Sequence, residues 1–213
     1  MKKNLFLVCL FMFGTLASCQ CSSKKSADNA VVNTTETPVP LGDPFILLHD
    51  GVYYAYGTHS NKGIEFYTSD DLLTWKYGGL ALNKEDSWAD RWFWAPEIYF
   101  VNGKFYMYYS ADEHICVAVA DSPTGPFVQD KKEPMIADEK CIDNSLFIDD
   151  NGTPYLSFVR FNDGNNIWIA ELEKDLITIK KETMHPCLHV TQEWEKVWPR
   201  VNLSLIHISE PTR

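Results

Sequence analysis

A unit of about fifty residues occurs three times in this chain, and that repetition restricts the fold more than any other feature. The segments DPFILLHDGVYYAYGT (43–58), APEIYFVNGKFYMYYS (95–110) and DNSLFIDDNGTPYLSFV (143–159) align, with one extra residue at the third turn. Each is an apolar run, a turn of Asp-Gly or Asn-Gly, and an alternating aromatic run, which is the pattern of a β-hairpin. The turn glycines Gly51, Gly103 and Gly152 are 52 and 49 residues apart, a spacing that suits propeller blades. The second half of the unit recurs too. GIEFYTSDDLLTW (63–75), HICVAVADSPTGPF (114–127) and NIWIAELEKDLITI (166–179) each supply a strand, a polar turn and a short outer segment. Four strands per unit make one blade.

The expected fold is therefore all-β, a β-propeller of which about three blades lie between residues 42 and 180. A blade buries its faces only against its neighbours, and propellers have at least four blades. On that count the chain is expected to be part of a longer protein. Glycine, proline, tyrosine and tryptophan are frequent (11, 11, 10 and 7), and no long helical pattern of alanine and leucine interrupts the strands. The net charge of -10 comes without a basic patch, which argues against nucleic acid as a partner.

Residues 1–18, MKKNLFLVCLFMFGTLAS, place two lysines before an apolar run that ends in small residues, as a secretory signal does. The tetrad LASC, Leu16 to Cys19, resembles a bacterial lipobox, which implies lipid on Cys19 and an exported lipoprotein held at a membrane by its anchor. Residues 19–41 then form a polar tether rich in Ser, Thr, Asn and Pro. Beyond Cys19 the cysteines are Cys21, Cys116, Cys141 and Cys187. Their spacing fits no zinc motif, and an oxidising compartment permits a disulfide without specifying one. No metal or cofactor is expected.

Two carboxylates occupy corresponding positions: Asp43 and Asp143 each begin the first strand of a blade. In a propeller the first strands line the central channel, so residues a hundred positions apart can share one pocket. Like charge and partial burial there would separate their pKa values and prepare unlike acid and base roles. The alternative reading is that both satisfy turn amides. The run SWADRWFWAPE carries Trp88, Trp92, Phe93 and Trp94, with His49, His59 and Arg160 as polar candidates. Aromatic faces beside ordered polar groups suit a sugar; each aromatic taken singly could equally pack between blades. Glu97 follows the proline that opens the second blade, and a structural or substrate-contact role suits it better than catalysis.

The stretches GDPFILLHDGVYYAYGT, FWAPEIYFVNGKFYMYYSA, SPTGPF and IDNSLFIDDNGTPYLSF together resemble the glycoside hydrolase family 43 enzymes, five-bladed propellers that include β-xylosidases, α-L-arabinofuranosidases and arabinanases. The resemblance implies that Asp43 is the general base and that Asp143 tunes the pKa of the general acid and orients the sugar. It also implies inverting hydrolysis of xylan, arabinan or arabinoxylan oligosaccharides; Trp94, His59 and Arg160, from the aromatic and polar candidates above, are the expected substrate contacts. The family usually has proline after the second aspartate. Asn144 stands there in this chain, a departure expected to weaken the geometry at the start of that strand.

The family's general acid is a glutamate in an EGP-like motif at the start of the fourth blade. Glu193 and Glu195 approach that point, but neither is followed by glycine, so the role is not transferred to them. Residues 203–213, LSLIHISEPTR, resemble the in-frame translation of a transposase adapter used to build sequencing libraries. The native sequence, a partial propeller over 42–202, is therefore expected to stop at Asn202, short of the acid. A non-catalytic carbohydrate-binding propeller is the alternative, favoured if the unbroken gene also lacks that glutamate.

Overall fold

The structure, a computed structural model, describes residues 38–189 except 163, together with residue 191. The signal segment, Cys19, nearly all of the tether, Glu193, Glu195 and residues 203–213 lie outside the described residues.

Three antiparallel sheets follow one another along the chain. The first has the order β1 (Gly42–His49), β2 (Val52–Thr58), β3 (Gly63–Ser69) and β4 (Lys76–Asn83). The second comprises β5 (Trp94–Val101), β6 (Lys104–Ala111) and β7 (His114–Ala120). The third runs β8 (Cys141–Ile148), β9 (Pro154–Phe161), β10 (Asn165–Glu171) and β11 (His185–Leu188).

The turn chemistry read from the sequence is what closes each inner hairpin. Asp50 and Gly51 have φ of 49° and 79°, and Asn102 and Gly103 have 50° and 79°. Both pairs adopt the doubly positive φ of a tight hairpin turn that preserves strand twist. The third turn is longer, and Asp149 organises it: its Oδ1 accepts the amides of Asn151 at 2.9 Å and Thr153 at 2.8 Å.

Two differences from the expected blades concern the outer strands. Blade two has three strands, and its outer segment is reduced to an antiparallel bridge between Val119 and Val128 and a parallel bridge from Phe127 to Leu82 of blade one. Pro123 and Pro126 remove backbone donors there, while the Phe127 amide donates to the Ala81 carbonyl at 2.8 Å. Blade two is thus tied outward to β4. Blade three continues past residue 180, because its outer strand is β11 and residues 172–179 form a preceding turn bridged between Leu172 and Ile179.

The cores lie between blades. Tyr56, Ile64, Phe66 and Leu82 of blade one pack with Phe93, Ile98, Met107 and Tyr109 at the first junction. Tyr108, Ile115 and Val117 pack with Leu146, Leu156 and Phe158 at the second. Consecutive side chains of a strand point to opposite faces, so Tyr108 and Tyr109 serve one junction each. Their hydroxyls are satisfied on arrival: Tyr108 donates to the Leu176 carbonyl at 2.7 Å, and Tyr109 donates to Gln129 Oε1 at 3.2 Å. On β1 the side chains of Phe45 and Leu47 face this packing, whereas Ile46 and Leu48 are exposed, as is Phe147 on β8. No blade covers those outer faces among the described residues.

Candidate active site

Each inner strand begins with the same irregularity. Asp43 and Pro44 are inserted between the pairs Gly42–Thr58 and Phe45–Tyr56. Ala95 and Pro96 lie between Trp94–Ser110 and Glu97–Tyr108, and Asp143 and Asn144 lie between Ile142–Val159 and Ser145–Ser157. Two residues oppose one, which is a β-bulge, a device that re-aims side chains beside functional sites. The first residue of each bulge is left-handed, with φ of 45° at Asp43, 41° at Ala95 and 55° at Asp143. That conformation costs an L-residue about 1–2 kcal/mol, so neighbouring structure must hold it in place. Hydroxyls of the preceding blade do so: the Ala95 amide donates to Thr58 Oγ1 at 2.9 Å, and the Asp143 amide donates to Ser110 Oγ at 3.0 Å. Asn144 does not alter the geometry as expected from its departure from proline, since the third bulge matches the other two in register and in φ.

The bulges bring Asp43 and Asp143 to one cleft of about 330 Å³, lined also by Ala95, Glu97, Asn144, Ser145 and Ser157. Asp43 is exposed and Asp143 half-buried. The blade-two counterpart of the two aspartates is Ala95, and Glu97 stands instead at the position of Phe45 and Ser145. The Glu97 carboxylate accepts the phenol proton of Tyr99, whose oxygen is 3.2 Å from Ser145 Oγ. Burial, then the bond to Glu97, pushes the Tyr99 pKa up. The phenol therefore stays a donor across the physiological range.

The remaining sequence candidates are not among the lining of this cleft. Trp94 stacks on Trp92 with centroids 5.7 Å apart and planes at 11°, and the Arg91 guanidinium sits 4.4 Å from the Trp92 ring centre. Phe93 is core, and Trp88 packs edge-on against His114. His59 and Arg160 occupy corresponding positions just beyond Thr58 and Val159, and each is held by a carboxylate. His59 Nδ1 is 2.6 Å from Glu65 Oε2. Arg160 makes two bonds to Glu139 Oε2, at 2.7 and 2.9 Å, and covers the Trp168 ring. His49 is at the other end of β1, about 20 Å from Asp43 at the usual rise per residue, packed on Phe100 and Phe105. Among the described residues, no group of three or more His, Cys, Asp or Glu side chains is arranged to hold a metal ion.

Repeated left-handed bulges thus set two carboxylates in one cleft, and the profile of the Glycosyl hydrolases family 43 matches residues 35–200. The chain belongs to this family. It is 37% identical over 167 residues to xylosidase/arabinosidase 43A of Humicola insolens, covering 63% of this chain and 50% of that one. It is 27% identical over 160 residues to the extracellular exo-α-(1→5)-L-arabinofuranosidase ArbA of Cellvibrio japonicus, covering 65% and 45%. Among solved structures, an endo-1,4-β-xylanase of Bacteroides thetaiotaomicron superposes with a TM-score of 0.70 at 50% identity, covering 74% of this chain and 56% of that one. This family 43 chain thus spans about half the length of these relatives.

Sequence reasoning did not identify Thr58, Ser110, Tyr99 or Ser145. A signal for the first two was present: alignment of the repeats puts Thr58, Ser110 and Val159 in one column. Its meaning depends on a partner in the next blade, which no local pattern reveals.

Proposed function

We propose that this chain carries the base side of an inverting glycosidase active site, in a protein that hydrolyses O-glycosidic bonds of arabinose- or xylose-containing plant polysaccharides. The observation that supports the reading is the placement of Asp43 and Asp143 on equivalent bulges lining one cleft. Asp43 takes a proton from a water attacking the anomeric carbon. A general acid on the opposite side, about 6.5–9.5 Å away, protonates the leaving oxygen. Asp143 sets that acid's pKa and orients the sugar, and Glu97, held by Tyr99, forms part of the cleft wall. Trp94, His59 and Arg160 contact the substrate beyond the cleft.

The test is substitution in the protein expressed from the uninterrupted reading frame, assayed on aryl xylosides and arabinosides. Asp43→Asn is expected to lower kcat by about 10²- to 10⁴-fold with sugar binding retained. Asp143→Asn removes a negative charge near the acid and is expected to move the basic limb of the rate profile to lower pH. Unchanged turnover in Asp43→Asn would reject the base assignment. Sugar binding by a wild-type protein without any turnover would favour a binding propeller instead.

The same reading covers location. Cys19 carries lipid, and the tether holds the propeller off a bacterial membrane within reach of soluble oligosaccharides. An extracellular relative is in keeping with export. Cell fractionation of wild type and Cys19→Ala tests this: membrane-bound wild type with a released or unprocessed variant is expected, and equal soluble recovery of both would overturn it.

A further inference from the structure

Thr58 touches both sides of the first blade junction. Its Oγ1 donates to Asp43 Oδ2 at 2.9 Å within blade one and accepts the Ala95 amide of blade two at 2.9 Å. The directions of these bonds follow from the partners. A peptide N–H can only donate, and a carboxylate can only accept, so the single hydroxyl proton must point at Asp43. Thr is stiff at χ1, and Thr58 pairs with Gly42, the residue directly before the Asp43 bulge. The hydroxyl is thereby fixed by its own strand's pairing on one side and by the Ala95 amide on the other.

Asp43 needs such a hold. It is exposed, and its left-handed backbone is tolerated only where neighbours impose it. Ser110 repeats half of the arrangement, accepting the Asp143 amide. In the third blade the corresponding residue is Val159, which has no hydroxyl to offer. Thr58 in addition donates to the aspartate side chain itself.

We propose that Thr58 is a positioning residue for the Asp43 carboxylate, transmitting the docking of blade two on blade one to the orientation of that group. With Oδ2 engaged by Thr58, the proton from the attacking water passes to Oδ1. The proposal rests on the reading of Asp43 as general base.

The experiment uses the protein from the uninterrupted reading frame and a cycle of Thr58→Val, Asp43→Asn and the double variant, with Thr58→Ser as the conservative control. Thr58→Val is expected to lower kcat about 10- to 100-fold, with KM changed by less than about threefold, because misplacement of a reacting group acts on the chemical step. Thr58→Ser restores kcat to within about threefold of wild type. In the Asp43→Asn background, Thr58→Val causes no further loss. A raised KM at unchanged kcat, failure of the folded serine variant to restore turnover, or an undiminished loss in the Asp43→Asn background would each overturn the proposal. If Thr58→Val does not fold, Thr58→Ala, which leaves space for water at both partners, replaces it with the same expectations. Unchanged turnover in Asp43→Asn defeats the base reading, whereas a dead Asp43→Asn beside a fully active Thr58→Val defeats the positioning role alone.

Discussion

The Tyr99 hydroxyl of blade two stands 3.2 Å from Ser145 Oγ of blade three while giving its proton to Glu97. Because that proton is committed, Ser145 is the donor in the Tyr99–Ser145 contact. The cleft wall at the second junction is therefore a directed chain from Ser145 to Tyr99 to Glu97, in which each link fixes the next.

Tyr99→Phe breaks that chain at its centre and leaves a half-buried carboxylate without its phenol. A loss of about 1–3 kcal/mol is expected, as for a polar group deprived of its partner. Denaturant unfolding checks it: the midpoint should fall at an unchanged m-value. Tyr99→Phe as stable as wild type would show that water replaces the phenol without cost.

The buried thiols predict alkaline sensitivity. Burial, followed by the nearby Cys141, pushes Cys116 up to about 12, and burial pushes Cys141 up to about 11. Both ionise later in the folded protein than in the unfolded chain, where the thiol value is 9.0. The stability they lend is full below pH 9 and is lost as pH rises toward 11–12, at up to about 1.4 kcal/mol per pH unit for each thiol. Burial raises the phenols of Tyr56, Tyr108 and Tyr109 in the same sense. Urea midpoints between pH 8 and 10 should therefore fall, less steeply in a Cys116→Ala, Cys141→Ala variant. Alkylation mapped by mass spectrometry at pH 8 should mark exposed Cys187 promptly and the other two only on unfolding.

Ala95 holds a left-handed conformation, φ 41°, without the polar side chain that eases it in aspartate. Glycine adopts that conformation freely at a smaller entropic cost. Ala95→Gly is expected to raise stability by up to about 1 kcal/mol with the cleft intact, read as a higher denaturant midpoint. A lower midpoint would show that the alanine methyl contributes more by packing than the strain costs.

Asn144 is buried, and its Oδ1 has no hydrogen-bond partner among the described residues, although its Nδ2 donates to the Cys116 carbonyl at 3.1 Å. Prolines occupy the same bulge position at Pro44 and Pro96. Asn144→Pro loses the bond to the Cys116 carbonyl and a weak one to Met135 Sδ, and removes one unsatisfied oxygen, so a net change within about 1 kcal/mol is expected. Asn144→Asp puts a charge into the same buried position and should cost more than about 2 kcal/mol at neutral pH. Comparing the two by denaturant unfolding separates the backbone requirement from the burial requirement.

The repeat by itself determined that this chain makes all-β blades, where the inner hairpins turn, and that Asp43 and Asp143 are equivalent. Those properties are local: alternation selects the strand, Asp-Gly and Asn-Gly select the turn, and the period selects the blade. The outer strands were less legible, because prolines at 123 and 126 and the turn before β11 act through which neighbour is available to pair. Only the tertiary structure decided that the aspartates begin left-handed bulges, that Glu97 is held by Tyr99, and that Arg160 and His59 are engaged by Glu139 and Glu65. The hydroxyls that hold the bulges act across blade junctions, on amides 37 and 33 residues further along the chain. A bulge costs backbone energy wherever it forms, and those at Ala95 and Asp143 persist because the preceding blade supplies the hydroxyl that accepts their amides, a condition met only once the blades have packed.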